Sequence, residues 1–384
     1  MPIRFRGPVR PRKLKSPDPI NMPVVRDNKV PKVKAEVEYY KEHGEMPSIS
    51  GPWSSVTTYF GLSSNSTVDP IAGFDVYNDD IIVIANRETS SAESYKRNGS
   101  TGEWEYVDGK YIANIRNGDI LINADDSKVF IGATHVSNST GTVIECGIDL
   151  STGTLAGTHT SRPSGNSQDY VYDGSRIVDV GNNLIISSGP GFTANSARAG
   201  IIWFRDRTTG AVSQIVRNFQ NGLTNSGFGT NSGNHQLGLG HRDYLWSAST
   251  IVDDGRLVVA ASPSGDSDAL LNNSFATVFT WDGTTIADIQ QIQAPGNGER
   301  MIAVFNSDTS GNFYMVLDNG DNTRDLIEYS WNGSSYDQIS RAKWGLAFDM
   351  VSRESLIRTR TMPDGSLLIS ASDSSGEIKR ITRN

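Results

Sequence analysis

Six short apolar runs recur along the chain, each flanked by polar turn residues. They are Ile81–Ala85, Val129–Ala133, Leu184–Ser188, Leu257–Ala261, Phe313–Leu317 and Leu367–Ala371. Their starts lie 48, 55, 73, 56 and 54 residues apart. Runs this short, bounded by Gly, Asn and Asp, predict buried strands rather than helices. Most follow a tight polar turn: Asn78-Asp79-Asp80, Gly181-Asn182-Asn183, Asp253-Asp254-Gly255, Ser310-Gly311-Asn312 or Asp364-Gly365. These residue types tolerate the positive φ that tight hairpins require.

A second strand is predicted after each run: residues 94–96, 143–146, 201–204, 277–281, 326–331 and 378–381. A Gly-rich turn of one style comes next, as in NGSTGEW at 98–104, DLSTGTL at 149–155 and DRTTGAV at 206–212. Strands lead out of the unit (212–216, 286–292) and into it (73–77, 247–252, 357–361). Each unit thus reads as a four-stranded antiparallel meander of about 50 residues. A lone meander cannot bury both faces, and stacking copies around an axis solves this. The reading is all-β: one β-propeller of about six blades over residues 50–384. The sixth unit stops after its third strand, and Val56–Phe60 is expected to supply the fourth and close the ring. Seven blades are the alternative, if a divergent unit is hidden in the sequence, although the excess in the longest spacing is short for one.

The order of a Gly-aromatic entry strand, a turn, an apolar strand ending in small residues and an aromatic strand resembles FG-GAP or integrin-α-like propeller repeats. Gly73-Phe74, IIVIA and Ser94-Tyr95 form the clearest copy, and residues 247–283 form another. The resemblance implies architecture more than activity, because such folds host adhesion, scaffolding and hydrolysis alike.

Charge divides the chain. Residues 1–34 hold ten Lys/Arg against Asp18 and Asp27, a net of +8; the whole chain is −8, so residues 35–384 carry −16. Seven prolines in the same stretch favour an extended arm over a helix. Residues 1–49 are therefore read as an anchoring arm, with a short helix predicted within 33–45. Arg4, Arg6, Arg10, Arg12, Lys13 and Lys15 are its candidate partner-binding residues. The alternatives are a solvated tail or a nucleic-acid arm. Nucleic acid ranks lower, because the body is acidic and residues 1–34 have one aromatic, Phe5.

No apolar run reaches the ~18–20 residues of a membrane helix. The first residues lack the apolar core of a secretory signal. The lone cysteine, Cys146, excludes an internal disulfide and reads as a small buried hydrophobe in the strand VIECG. Trp104, Trp203, Trp281, Trp331 and Trp344 read as blade-packing residues at corresponding places.

Candidate chemistry is sparse. No zinc-protease, phosphate-loop or nucleophile-elbow motif is present, so no catalytic residues are assigned and the chain is read as a non-enzyme. Residues 217–246 exceed the blade repeat and read as a long loop. They hold His235, His241, Arg242, Tyr244 and Trp246, a candidate ligand face. Asp318, Asp321 and Asp325, and Asp266 with Asp268, offer oxygens suited to calcium but lack the spacing of a full calcium loop. They read as solvated turn acids, with a weak calcium site as the alternative and no cofactor otherwise expected.

The basic Pro-rich arm, the near absence of cysteine and the Gly/Ser/Asn-rich β body together look like bacteriophage virion proteins of tail, fibre or head decoration. The expectation is a structural virion protein, assembled in the host cytoplasm and docked on other virion subunits through the arm. The competing expectation is a propeller that binds a host cell-surface glycan or receptor.

Overall fold

The computed structural model describes residues 53–62, 71–112, 115–135, 141–161, 170–171, 175–192, 198–217, 235–236, 244–252, 254–263, 275–281, 286–294, 300–307, 309–318, 324–344, 358–370 and 376–383. The arm and its predicted helix lie outside them. Among the described residues every regular element is a strand.

The first strand, β1 (Trp53–Gly61), precedes the repeats. Blade 1 is β2 (Ile71–Tyr77), β3 (Ile81–Asn86), β4 (Ser91–Arg97) and β5 (Trp104–Tyr111). Blade 2 is β6 (Ile115–Asn123), β7 (Lys128–His135), β8 (Gly141–Ile148) and β9 (Leu155–Ser161). Blade 3 has six strands: β10 (Tyr170–Val171), β11 (Ser175–Asp179), β12 (Asn183–Phe192), β13 (Arg198–Asp206), β14 (Val212–Arg217) and β15 (His235–Gln236). Blade 4 is β16 (Tyr244–Ile251), β17 (Leu257–Pro263), β18 (Phe275–Trp281) and β19 (Ile286–Gln293). Blade 5 is β20 (Arg300–Asn306), β21 (Asn312–Asp318), β22 (Arg324–Trp331) and β23 (Tyr336–Lys343). Blade 6 is β24 (Arg358–Thr361), β25 (Leu367–Ser370) and β26 (Glu377–Arg383), completed by β1 in the order β1-β26-β25-β24.

The ring is thus a six-bladed propeller closed by the N-terminal strand, as the sequence predicts. The pairing runs from Trp53 opposite Arg383 to Gly61 opposite Glu377. The innermost strands β2, β6, β11, β16, β20 and β24 each touch the next, and β24 returns to β2. Blade 3 departs from the expected four strands. Two short strands enter antiparallel to β12, and β15 adds parallel to the outer edge of β14.

The apolar runs are continuous because the second strand of a blade is covered on both faces. Ile81, Val83 and Ala85 pack toward blade 2, whereas Ile82 and Ile84 pack toward blade 6. In blade 5, Phe313, Met315 and Leu317 meet blade 4, and Tyr314 and Val316 meet blade 6. The core therefore consists of slabs between blades, without a single centre.

The repeated turns have one mechanism. Asn98, Asp149, Asp206 and Asn332 each accept backbone N–H bonds at their Oδ1 from residues two and three positions on. The glycines four positions on, Gly102, Gly153 and Gly210, adopt φ of +74°, +83° and +72°, whereas in the fourth turn the positive φ of +106° falls at Gly333, directly after Asn332. Each outer strand pairing, including β1 with β26, carries a register shift. Such bulges twist an exposed edge away from fortuitous pairing.

Candidate functional site

The strongest assembly of charge is at the ring's inner strands, where blades 6, 1 and 2 meet. Gly73 allows it. A Cβ there would sit 2.6 Å from Asp119 Cα and 2.7 Å from the Gly118 carbonyl. With no side chain, β2 and β6 approach closely enough for one residue to span both.

That residue is Arg360 of β24. Its Nε donates to Asp75 Oδ1 at 3.0 Å, and its Nη2 donates to Asp119 Oδ1 at 2.7 Å. Two positions earlier, Arg358 Nε donates to the carbonyls of Ala72 (3.1 Å) and Gly118 (2.9 Å). The carboxylates extend the network. Asp75 Oδ2 accepts the Ile122 N–H of blade 2 at 2.7 Å, and Asp119 Oδ2 accepts the Ile177 N–H of blade 3 at 3.2 Å. Four consecutive blades are thereby joined by side chains at the ring's inner strands. Burial raises the Asp75 carboxyl above its usual range, against the pull of Arg360 and two backbone donors. Arg360 loses solvation, yet Asp119 and Asp75 hold its guanidinium more firmly charged than usual.

A second cluster holds the seam between β1 and blade 1. Tyr59 donates its hydroxyl to Asp79 Oδ1 at 2.6 Å, and Arg97 donates to Asp79 Oδ2 at 2.9 Å. Trp104 Nε1 donates to the Tyr59 carbonyl at 2.8 Å. Burial pushes the Tyr59 hydroxyl pKa up, and the bond to Asp79 adds to it. Between blades 2 and 3, the buried Arg205 donates to Glu145 at 2.7 Å and lies over the Phe130 ring at 5.6 Å. These groups bond across blade boundaries and fix blades to one another.

The residues singled out from sequence are dispersed. Arg4, Arg6, Arg10, Arg12, Lys13 and Lys15 lie outside the described residues, as do His241 and Arg242. His235 lies in β15, opposite Val216 on the rim of blade 3. Tyr244 and Trp246 are not loop residues. They sit in β16, the innermost strand of blade 4, opposite Pro263 and Ala261. The fold therefore puts His235 at the outer edge of one blade and Trp246 on the inner strand of the next, because the connection between them crosses from rim to axis. The tryptophans also differ from the expected equivalence. Trp281 and Trp331 both end third strands, but Trp104 begins an outer strand and Trp344 follows one.

Among the described residues no three His, Cys, Asp or Glu side chains converge as a metal site. Asp325 is taken up by Arg341 at 2.5 Å and Lys343 at 2.9 Å. Asp266, Asp268 and Asp321 lie outside the described residues. Cys146 is buried in the slab between blades 1 and 2, and desolvation pushes its thiol up to about 12.

No family model matches the chain, and no curated protein does. Solved structures share the architecture at low identity. Virginiamycin B lyase from Staphylococcus aureus is 12% identical with a TM-score of 0.44, over 86% of this chain and 99% of that one. A protein from Lactobacillus plantarum is 12% identical with a TM-score of 0.47, over 82% and 88%. Hydrazine synthase from Kuenenia stuttgartiensis is 10% identical with a TM-score of 0.48, over 80% and 76%. Likeness at this level carries no argument about activity.

Proposed function

We propose that this chain is a structural virion protein, of a phage tail or fibre-attachment region, that docks through residues 1–49 and presents the propeller as a rigid platform. The observation that carries the reading is the charge division: +8 over residues 1–34 beside −16 over the remainder. An arm with that charge and seven prolines cannot bury a core of its own, and it gains order by lying along an acidic neighbour. The platform role is supported by interlocked inner strands and by a ring whose charged groups serve blade-to-blade contacts. No catalytic step, cofactor or membrane contact is part of this reading.

The test is incorporation. Particles assembled with a variant lacking residues 1–34 are purified and imaged by electron microscopy, and the free variant is checked by circular dichroism. The expected result is a folded, soluble propeller missing from the particle. A truncated chain that incorporates normally would overturn the proposal.

A further inference from the structure

The hairpins that join the third and fourth strands of a blade follow a charge rule. In blade 1 the turn begins with Asn98, and the second residue of β5 is Glu105. In blade 5 it begins with Asn332, and the second residue of β23 is Asp337. Where the turn begins with an acid, that strand position is uncharged. Asp149 goes with Ala156 of β9, Asp206 with Ser213 of β14 and, in sequence, Asp282 with Ala287 of β19. The contacts supply the reason. Asn98 Nδ2 donates to Glu105 at 2.7 Å, and Asn332 Nδ2 donates to Asp337 at 2.8 Å. Either residue type accepts the N–H bonds of the turn, but an ionised acid cannot also donate to a carboxylate. Blades 1 and 5 therefore need an amide where blades 2 and 3 hold an acid.

Both amides are followed by glycine, at Gly99 and Gly333. Each glycine sets an unhindered backbone nitrogen next to a side-chain carbonyl, and a Cβ at either position would meet nothing within 4 Å. Closing that nitrogen onto Cγ makes a five-membered ring, and such intramolecular closures gain from high effective concentration. The carbonyl is also activated. Asn98 Oδ1 accepts the N–H of Ser100 at 2.8 Å and of Thr101 at 3.2 Å. Asn332 Oδ1 accepts the N–H of Ser334 and of Ser335, both at 2.9 Å, and the Ser334 hydroxyl at 3.0 Å. Donors aimed at a carbonyl oxygen stabilise the negative charge that grows there as a nucleophile adds.

We propose that Asn98-Gly99 and Asn332-Gly333 are sites of spontaneous deamidation, and that conversion unlatches the outer strands of blades 1 and 5. The glycine N–Cγ bond forms and the Cγ–Nδ2 bond breaks. The side-chain nitrogen leaves as ammonia, taking the glycine amide proton. Water then opens the succinimide at either carbonyl, to aspartate or isoaspartate. Aspartate sets a carboxylate against Glu105 or Asp337 where a hydrogen bond had been. In blade 1, Lys96 stands opposite Glu105 but already pairs with Asp80 at 3.2 Å. In blade 5 the residue opposite Asp337 is Ser330, which carries no charge. Isoaspartate in addition lengthens the turn by one backbone carbon. The step is one-way, so the fraction converted records the age of the chain.

Peptide mapping by mass spectrometry of the full chain, held folded at mildly alkaline pH, tests the chemistry. Acid and isoaspartyl forms should accumulate at positions 98 and 332, with ammonia released in step. Asn117-Gly118, inside β6, should stay an amide. Gly99→Ala should slow conversion at 98 and leave 332 as in wild type. A folded chain that keeps both amides, under conditions where a synthetic peptide of residues 96–106 converts, overturns the proposal. The latch has its own readout. Asn98→Asp should lower the urea midpoint and speed amide exchange in β5. Adding Glu105→Ala, which reproduces the pairing of Asp149 with Ala156 in blade 2, should restore both. An Asn98→Asp chain that matches wild type in both measures, or a loss that Glu105→Ala does not relieve, overturns the unlatching.

Discussion

Replacing Arg360 by Met removes the side chain that carries the ion pairs from β24 to both β2 and β6. The substitution keeps length and apolar bulk but strands two carboxylates, whose side chains are 12% (Asp75) and 2% (Asp119) exposed. Breaking a buried ion pair from one side costs about 3–5 kcal/mol. The backbone donors Val76, Ile120, Ile122 and Ile177 still hold the two acids, which places the expected cost near the lower bound, about 3 kcal/mol. At ~2–4 °C per kcal/mol for a chain of this size, the melting temperature should fall by about 6–12 °C. Differential scanning calorimetry at pH 7 reads this directly. The pH dependence gives a second check. Burial already raises the Asp75 pKa, and removal of the guanidinium raises it further, so protonation relieves the variant. Its deficit against wild type should shrink as pH falls toward 5. A loss below ~1 kcal/mol, the worth of an exposed pair, or a deficit unchanged between pH 7 and pH 5, would refute the assignment of Arg360 as a buried lock.

Gly73→Ala forces a Cβ into the β6 backbone and should destabilise by about 1–3 kcal/mol, read as a lower urea midpoint. Phe60→Ala, which empties the slab between β1 and blade 1, should cost about 3–5 kcal/mol by the same measurement, whereas deletion of residues 1–49 should leave the midpoint unchanged. The turn hydrogen bonds hold the Asp149, Asp206 and Asp364 carboxyls below their usual range; at Glu93, burial pushes up but four hydrogen bonds outweigh it. Depressed folded-state values stabilise the fold above the unfolded pKa and lose that contribution as pH falls through them, so the melting temperature should drop steadily below pH ~4. A flat profile from pH 6 to 3 would contradict this. Cys146 should react with a thiol reagent at the rate of global unfolding, and a fast reaction in native buffer would show that its slab opens locally.

The blades were legible because their signals are local. A two-sided buried strand writes itself as an unbroken apolar run, and an Asx turn ending in a positive-φ glycine writes itself as Asn/Asp-x-Ser/Thr-x-Gly. Even the closing strand could be inferred, since the last unit lacked one and VTTYF stood unclaimed. The charged lock was not legible. Arg360 lies 285 positions from Asp75 and 241 from Asp119. In sequence, Arg358-Thr359-Arg360 has the alternation of a solvent-facing edge, and only ring closure turns it inward. The 217–246 segment misled for the opposite reason. Most of it lies outside the described residues, and the residues grouped by sequence separate across two blades, His235 on the rim of blade 3 and Trp246 on the inner strand of blade 4.

The closure between Trp53 and Arg383 also sets an order of events during synthesis. Every other blade can form from strands that leave the ribosome together, but β1 must wait for β26, the last strand of the ring to be made. Until then its apolar residues Tyr59 and Phe60 have no strand beside them. A chain interrupted before β26 would hold an open, sticky ring. Joining both ends of the ring in one blade therefore ties closure to translation of blade 6, so that only chains carried through β26 bury that seam.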